Sequence, residues 1–312
     1  MSRPDRTIGN MISPYSIAGD AEGANYKPNI ERMRPSDDAH FIPMTSVRAG
    51  RGEEAAQGVF YFTNQIVNVV MVRSLYHKEW VLIDTGMPGG AATIKHHAAN
   101  WFGKHSRPAA IILTHGHFDH TGSIVSLLKD WEVPVFAHPL EFPFLTGKQD
   151  YPAPDSSVDG GLLAKLAGIY PYHSLDISEY LQPLPDNHKV PFLPEWEWIH
   201  VPGHSPGQAA FFRPRDRVLV SGDAVITVRQ DKLLDVLFQK TEVNGPPRYL
   251  TTDWEAAKDS ANKILDLEPA IMVPGHGKAM EGAPLQQGLE KLVKDFQELA
   301  VPTHGKYVTN NE

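Results

Sequence analysis

The sequence predicts an α+β fold in which two β-rich layers are covered on both sides by helices. Three observations lead there. Residues 58–86, "GVFYFTNQIVNVVMVRSLYHKEWVLIDTG", are dense in the β-branched and aromatic residues that suit strands. A second block of the same character starts at Glu197. Each block leads into segments with apolar residues at helical spacing. The two halves share no clear sequence repeat, so their likeness lies in element order alone.

In chain order, residues 1–55 are rich in Pro, Gly, Asp and Arg and read as an extended N-terminal arm lying on the body. Residues 56–312 read as one domain. The first block holds two or three strands with a turn near His77–Glu79. "GGAATIKHHAANWFGKHS" follows with helical spacing through Ile94, Ala98 and Trp101. "PAAIILTHG" is a short apolar strand. Thr121 is expected to cap a helix carrying Ile124, Leu127 and Leu128. "VPVFAH" is another strand. Residues 139–195 are proline-rich and irregular, with a helix expected over Gly161–Gly168. In the second half, "EWIHVPG", "QAAFFRP" and "RVLVSGDA" read as strands separated by turns. "TTDWEAAKDSANKILDLEP" is a helix capped by Thr252 or Asp253, with Glu255 completing a capping box in the first case. "AIMVPGHG" is a strand running into a loop, and "LQQGLEKLVKDFQELA" is a closing amphipathic helix.

Composition narrows the function. Of 312 residues, 41 % are hydrophobic, enough for a sizeable core. A formal net charge of −8 gives no support for a nucleic-acid or anionic-membrane partner. There is no cysteine, so disulfides, thiolate metal ligands and cysteine nucleophiles are removed. Any metal must be held by histidine, aspartate or glutamate. The opening residues lack the apolar core of a signal peptide, and no run approaches the roughly 20 apolar residues of a membrane helix. A cytoplasmic enzyme with no membrane partner is the expectation.

The chemically interesting residues fall at the ends of apolar runs. "ILTHGHFDHTG" (112–122) places His115, His117, Asp119 and His120 directly after "AIIL". His204 follows "WIHVPG", Asp223 follows "RVLVSG" and His276 follows "AIMVPG". Loop residues anchored on rigid strand ends can converge although distant in sequence. Taken singly, His204, Asp223 and His276 read equally as buried loop or turn residues, and Asp84 as a turn former before Gly86. Taken together, the four strand exits each deliver a metal-capable nitrogen or oxygen side chain.

With "LIDTG" upstream and "VPGHSPG", "LVSGDA" and "VPGHG" downstream, "THGHFDHTG" resembles the signature of the metallo-β-lactamase superfamily. The resemblance implies a four-layered αββα metallo-β-lactamase-like sandwich with a dinuclear centre between its sheets. Carried over to this chain, His115, His117 and His204 would hold one ion, and Asp119, His120 and His276 the other. Asp223 would bridge both, and Asp84 would support the ligand loops. Asp119 and Asp223 are the expected catalytic carboxylates. The implied reaction is hydrolysis, in which a hydroxide shared by two divalent ions attacks the carbonyl of an ester, lactone or thioester. Zinc is the first choice of metal, while manganese, iron and cobalt suit the same ligands. An iron-dependent oxidoreductase or a phosphodiesterase on the same scaffold is the alternative.

The branches it resembles are the glyoxalase II-like enzymes and the quorum-quenching lactonases. Gln208 stands where many relatives that hydrolyse thioesters or lactones have histidine, and it receives no metal role. A lactonase-like site would set a tyrosine against the substrate carbonyl; Tyr170, Tyr172, Tyr180 and Tyr249 are the candidates. Residues 139–195 and 224–252 should decide specificity. The second contains Val225, Ile226, Val228, Leu233, Leu234, Leu237 and Phe238. These suit the wall of an apolar pocket for a small-molecule acyl substrate, or a contact with the arm or with a homodimer partner. Arg229 and Arg248 suit either an anionic substrate or a surface ion pair. His96, His97 and His105 read as helix-surface residues, His138 as a supporting residue, and Trp196 and Trp198 as packing.

Overall fold

Strands buried on both faces need apolar residues at odd and even positions alike, and the central strands of this chain have them. The computed structural model describes residues 30–37, 45–159, 165, 167–230 and 233–308, the side chain of Leu233 excepted. Strands β1 (Gly52–Ala56), β2 (Val59–Asn64), β3 (Val67–Arg73) and β4 (Trp80–Ile83) form an antiparallel meander. Strands β5 (Ala110–Ile112), β6 (Val135–Ala137) and β7 (Leu181–Pro183) then add in parallel, completing a seven-stranded sheet in sequence order. Helix α1 (Ala91–Phe102) connects β4 to β5; α2 (Phe118–Thr121) and α3 (Ile124–Trp131) connect β5 to β6. Helix α4 (Phe142–Leu145) precedes β7.

The second sheet has six strands: β8 (Lys189–Val190), β9 (Leu193–His200), β10 (Ala209–Arg213), β11 (Val218–Gly222), β12 (Ile271–Pro274) and β13 (Met280–Glu281). Only β11 and β12 pair in parallel. That connection contains α5 (Leu233–Phe238) and α6 (Trp254–Asp266), and α7 (Gly282–Lys294) and α8 (Phe296–Leu299) follow β13.

Alternation along each strand builds three apolar layers. Val59, Tyr61, Val70 and Ile83 of the first sheet meet Trp196, Phe211, Val220 and Val273 of the second. Phe62, Met71 and Leu82 face outward onto Ile94 of α1 and Leu127 and Leu128 of α3. Phe212, Leu219 and Met272 face outward onto Ala261 and Ile264 of α6 and Leu289 of α7. The result is helix, sheet, sheet, helix: the four-layered sandwich expected from the sequence.

Details differ from the sequence reading. The first strand already begins at Gly52, within the stretch read as arm. Of that stretch, Met33 packs into the outer core of the first sheet, and Arg34 pairs with Asp176. Residues 1–29 and 38–44 lie outside the described residues. So do 160–164 and 166, most of the helix expected over Gly161–Gly168; Ala167–Ile169 form a single 3-10 turn. Thr121 does not cap α3. It closes α2, donating to the His117 carbonyl at 3.0 Å, and Ser123 takes the cap position. Asp253 caps α6, accepting from the Ala256 amide at 2.9 Å. His97 is not on the helix surface: it is buried and stacks on Phe62 with ring centroids 4.1 Å apart. Among the described residues, no helix is long and apolar enough to cross a membrane.

Candidate metal centre

The seven residues lie just beyond the ends of strands, five in connecting segments and two on a short helix. His115 lies three residues beyond β5, and His117 directly precedes α2, which carries Asp119 and His120. His204 lies in the β9–β10 connection, Asp223 immediately follows β11, and His276 follows β12. All seven are buried. They form three overlapping groups, His115–His117–His204, His115–His120–Asp223 and Asp119–His120–His276, whose ligand atoms lie within 4.8 Å of one another. His117 Nδ1 is 2.9 Å from His204 Nε2. Asp223 stands between the groups, 3.4 Å from His120 Nε2, 3.5 Å from His204 Nε2 and 3.2 Å from His276 Nε2.

The surroundings fix the imidazole tautomers. The Asp84 carboxylate accepts from the Thr114 amide and hydroxyl, both at 2.8 Å, and lies 2.8 Å from His120 Nδ1. The Thr114 hydroxyl, having donated to Asp84, can only accept from His115 Nδ1, 3.0 Å away. The Thr251 hydroxyl donates to the Pro247 carbonyl and likewise accepts from His204 Nδ1 at 3.2 Å. The Ile66 carbonyl accepts from His276 Nδ1 at 3.1 Å. Four rings therefore carry a proton outward on Nδ1 and turn Nε2 inward, the nitrogen a metal-ligating histidine would offer. Asp84 is more than a turn former: it adopts a φ of 60°, a conformation an L-residue rarely holds.

Several buried ligand atoms, His115 Nε2 and Asp119 Oδ1 among them, have no hydrogen-bond partner among the described residues. Orphaned buried polar atoms are costly, and inward-facing imidazole and carboxylate groups are the donor set a divalent transition ion takes. The residues fit two such ions. Burial pushes His204 down to about 4, against the pull of Asp223, and holds His115 and His117 well below the ordinary imidazole value. At His276 burial is outweighed by the Asp223 and Asp119 carboxylates, which raise it to about 9; His120 is raised in the same way, chiefly by Asp223 and Asp84. At pH 7 the metal-free ring of His276 is therefore cationic, and an ion must displace its proton. Metal uptake at pH 7 is expected to release protons, that of His276 among them, and to strengthen as pH rises toward about 9. Zinc titration calorimetry in two buffers of different ionisation enthalpy measures this; zero release contradicts it.

The family model of the metallo-beta-lactamase superfamily matches residues 63–276, a span that holds all seven side chains. The chain belongs to the metallo-beta-lactamase superfamily. This superfamily member is 50 % identical over 254 residues to the probable metallo-hydrolase YflN of Bacillus subtilis (strain 168), across 81 % of this chain and 96 % of that relative. It is similar to the solved structure of TTHA1623 in a di-iron-bound form, with TM-score 0.50 and 26 % identity, over 74 % of this chain and 94 % of that one. BJP-1, a subclass B3 metallo-beta-lactamase of Bradyrhizobium japonicum, shares the fold at TM-score 0.56 and 17 % identity, over 82 % of this chain and 94 % of that one. Superfamily architecture and ligand clusters together support a metal-dependent hydrolase-type enzyme.

The other sequence candidates divide. Tyr170 lies beside the centre: its ring stacks on Phe118 at 5.8 Å and leans on Tyr249 at 5.4 Å. Its hydroxyl is buried without a hydrogen-bond partner among the described residues, and burial with Asp119 nearby pushes it up to about 12. Tyr180 belongs to the outer core of the first sheet, outside the ligand groups. Arg248 bonds Asp159 at 3.2 Å and the carbonyls of Leu299 and Ala300. His138 stacks on His200 at 4.2 Å, outside the ligand groups. Within 224–252, Val225 belongs to the core beneath α6 and α7, and Val228 and Val236 pack with Ile66. Tyr249 and Leu250 are the residues of that segment that join Tyr170, Val67 and Met87. Sequence reasoning missed Thr114, Thr251, Glu141 and Asn68. Asn68 bonds the carbonyls of Pro274 and Gly277, at 2.9 and 2.7 Å, on either side of His276.

Proposed function

We propose that this chain is a dinuclear metal-dependent hydrolase of small acyl substrates: an ester, lactone or thioester. The observation that carries this reading is the unpartnered Tyr170 hydroxyl in an otherwise apolar cluster beside the ligands. In that reading His115, His117 and His204 hold one ion, Asp119, His120 and His276 the other, and Asp223 serves both. Two divalent ions would supply water deprotonated near neutral pH and would polarise the scissile carbonyl. The chain does the rest. Tyr170 donates a hydrogen bond to the carbonyl oxygen as charge gathers there. Phe118, Tyr249 and Leu250 shelter the acyl portion from water. Asp119, a carboxylate with one oxygen outside any hydrogen bond among the described residues, takes up the proton of the attacking water and passes it to the leaving group. Zinc is the metal we favour on ligand type; iron is the second reading, carried by the likeness to TTHA1623, whose structure is of a di-iron-bound form.

One experiment tests the substrate class. On a single metal-defined preparation, kcat/KM is compared for a lactone, an aryl ester, a glutathione thioester and a phosphodiester. An acyl substrate is expected to lead. If the phosphodiester leads by more than about a hundredfold, roughly 2.7 kcal/mol of transition-state preference, the site must be reread as one for phosphate.

A further inference from the structure

The three-histidine group is assembled from two loops on different sheets: His115 and His117 follow β5, and His204 lies between β9 and β10. One backbone bond joins those loops on the sheet side, from the Ala209 amide to the Thr114 carbonyl at 2.8 Å. A second join is made by a side chain from neither loop. Glu141, fully buried just ahead of α4, places one carboxylate oxygen on each of them. Its Oε2 accepts from the Gly116 amide, between His115 and His117, at 2.9 Å, and from the Tyr151 hydroxyl. Its Oε1 accepts from the Ser205 hydroxyl, next to His204, at 2.9 Å, and from the Gly207 amide at 2.6 Å.

Both loops are shaped to admit this carboxylate. A Cβ on Gly116 would stand 2.5 Å from the Tyr151 hydroxyl, and one on Gly207 would stand 2.8 Å from Glu141 Cγ and 2.9 Å from Oε1. Either contact would push the clip out of place. Tyr151 adds a further link, its ring lying 4.4 Å from that of His117. Burial pushes the Glu141 carboxyl up, and its four donors oppose that shift. Four donors on one buried carboxylate exceed what anchoring a one-turn helix requires.

We propose that Glu141 is a positioning residue that sets the separation of His115 and His117 from His204, and so the affinity of the three-histidine ion site. The proposal rests on the dinuclear reading above. The test measures stepwise zinc affinities by competition with a chromophoric chelator, together with cobalt(II) absorption spectra, in wild type, Glu141→Gln and Ser205→Ala. A His276→Ala protein, which keeps the three histidines, marks which step belongs to them. Glu141→Gln keeps size and shape but turns a donor toward one loop's donors. It should weaken the three-histidine step by about 10–100-fold and alter its cobalt spectrum, with the other step within about threefold of wild type. Ser205→Ala should weaken the same step by less. Unchanged affinities, or equal weakening of both steps, would overturn the proposal, because the second pattern is what general loosening produces. If Glu141→Gln does not fold, Ser205→Ala decides by the same criterion. A wild type that binds only one ion would sink the dinuclear reading, whereas weakening of that one site in Glu141→Gln would still support the clip.

Discussion

Asp223→Asn is expected to lose about a thousandfold or more in turnover, since removing roughly 4 kcal/mol of metal-centred transition-state stabilisation has that effect. The reason is position. Asp223 reaches His120 and His276 on one side and His204 on the other, at 3.4, 3.2 and 3.5 Å. An amide cannot bring the negative charge that both ions would share. Bound metal, read by elemental analysis of undialysed protein, should fall below the two equivalents expected of wild type. A variant with two equivalents and wild-type kcat would remove Asp223 from the centre.

Asp119→Asn separates binding from chemistry. Asp119 Oδ2 lies 3.2 Å from His276 Nε2 and 3.9 Å from His120 Nε2, while Oδ1 has no hydrogen-bond partner among the described residues. The variant should fold, keep the three-histidine ion, and lose about 10²–10⁴ in kcat, the usual worth of a placed acid–base group. Single-turnover rates and metal content on the same sample give the comparison. Rate falling only in proportion to loss of the other ion, the one Asp119, His120 and His276 would hold, would assign Asp119 a ligand role alone.

That these seven side chains would come together was legible because they lie just beyond apolar strands and four of them share one short motif. Local periodicity also carried the layers, since strands buried on both faces spell continuous apolar runs such as Val69–Val72. What escaped were residues whose partners are remote. Glu141 meets Gly116 and Gly207 across 25 and 66 positions, and no spacing rule links them. Its only local signal is a carboxylate set inside the apolar "PLEFPFL". Asn68, within "IVNVVMV", gives the same weak hint of a buried polar group. His97 was readable and misread: with Ile94, Ala98 and Trp101 it falls on one helical face, and that face is the buried one.

The division of the seven residues between two sheets has a consequence for the order of events in the cell. A growing chain that has emerged only through β7 already carries His115, His117, Asp119 and His120, but not His204, Asp223 or His276. Chains begin to fold from the N-terminus during synthesis, so for a time half a binding site exists without its closing groups. An ion captured then would meet too few ligands to be retained. Loading would therefore follow docking of the last strand of the second sheet, and ions bound then would seal a finished product rather than seed the folding chain.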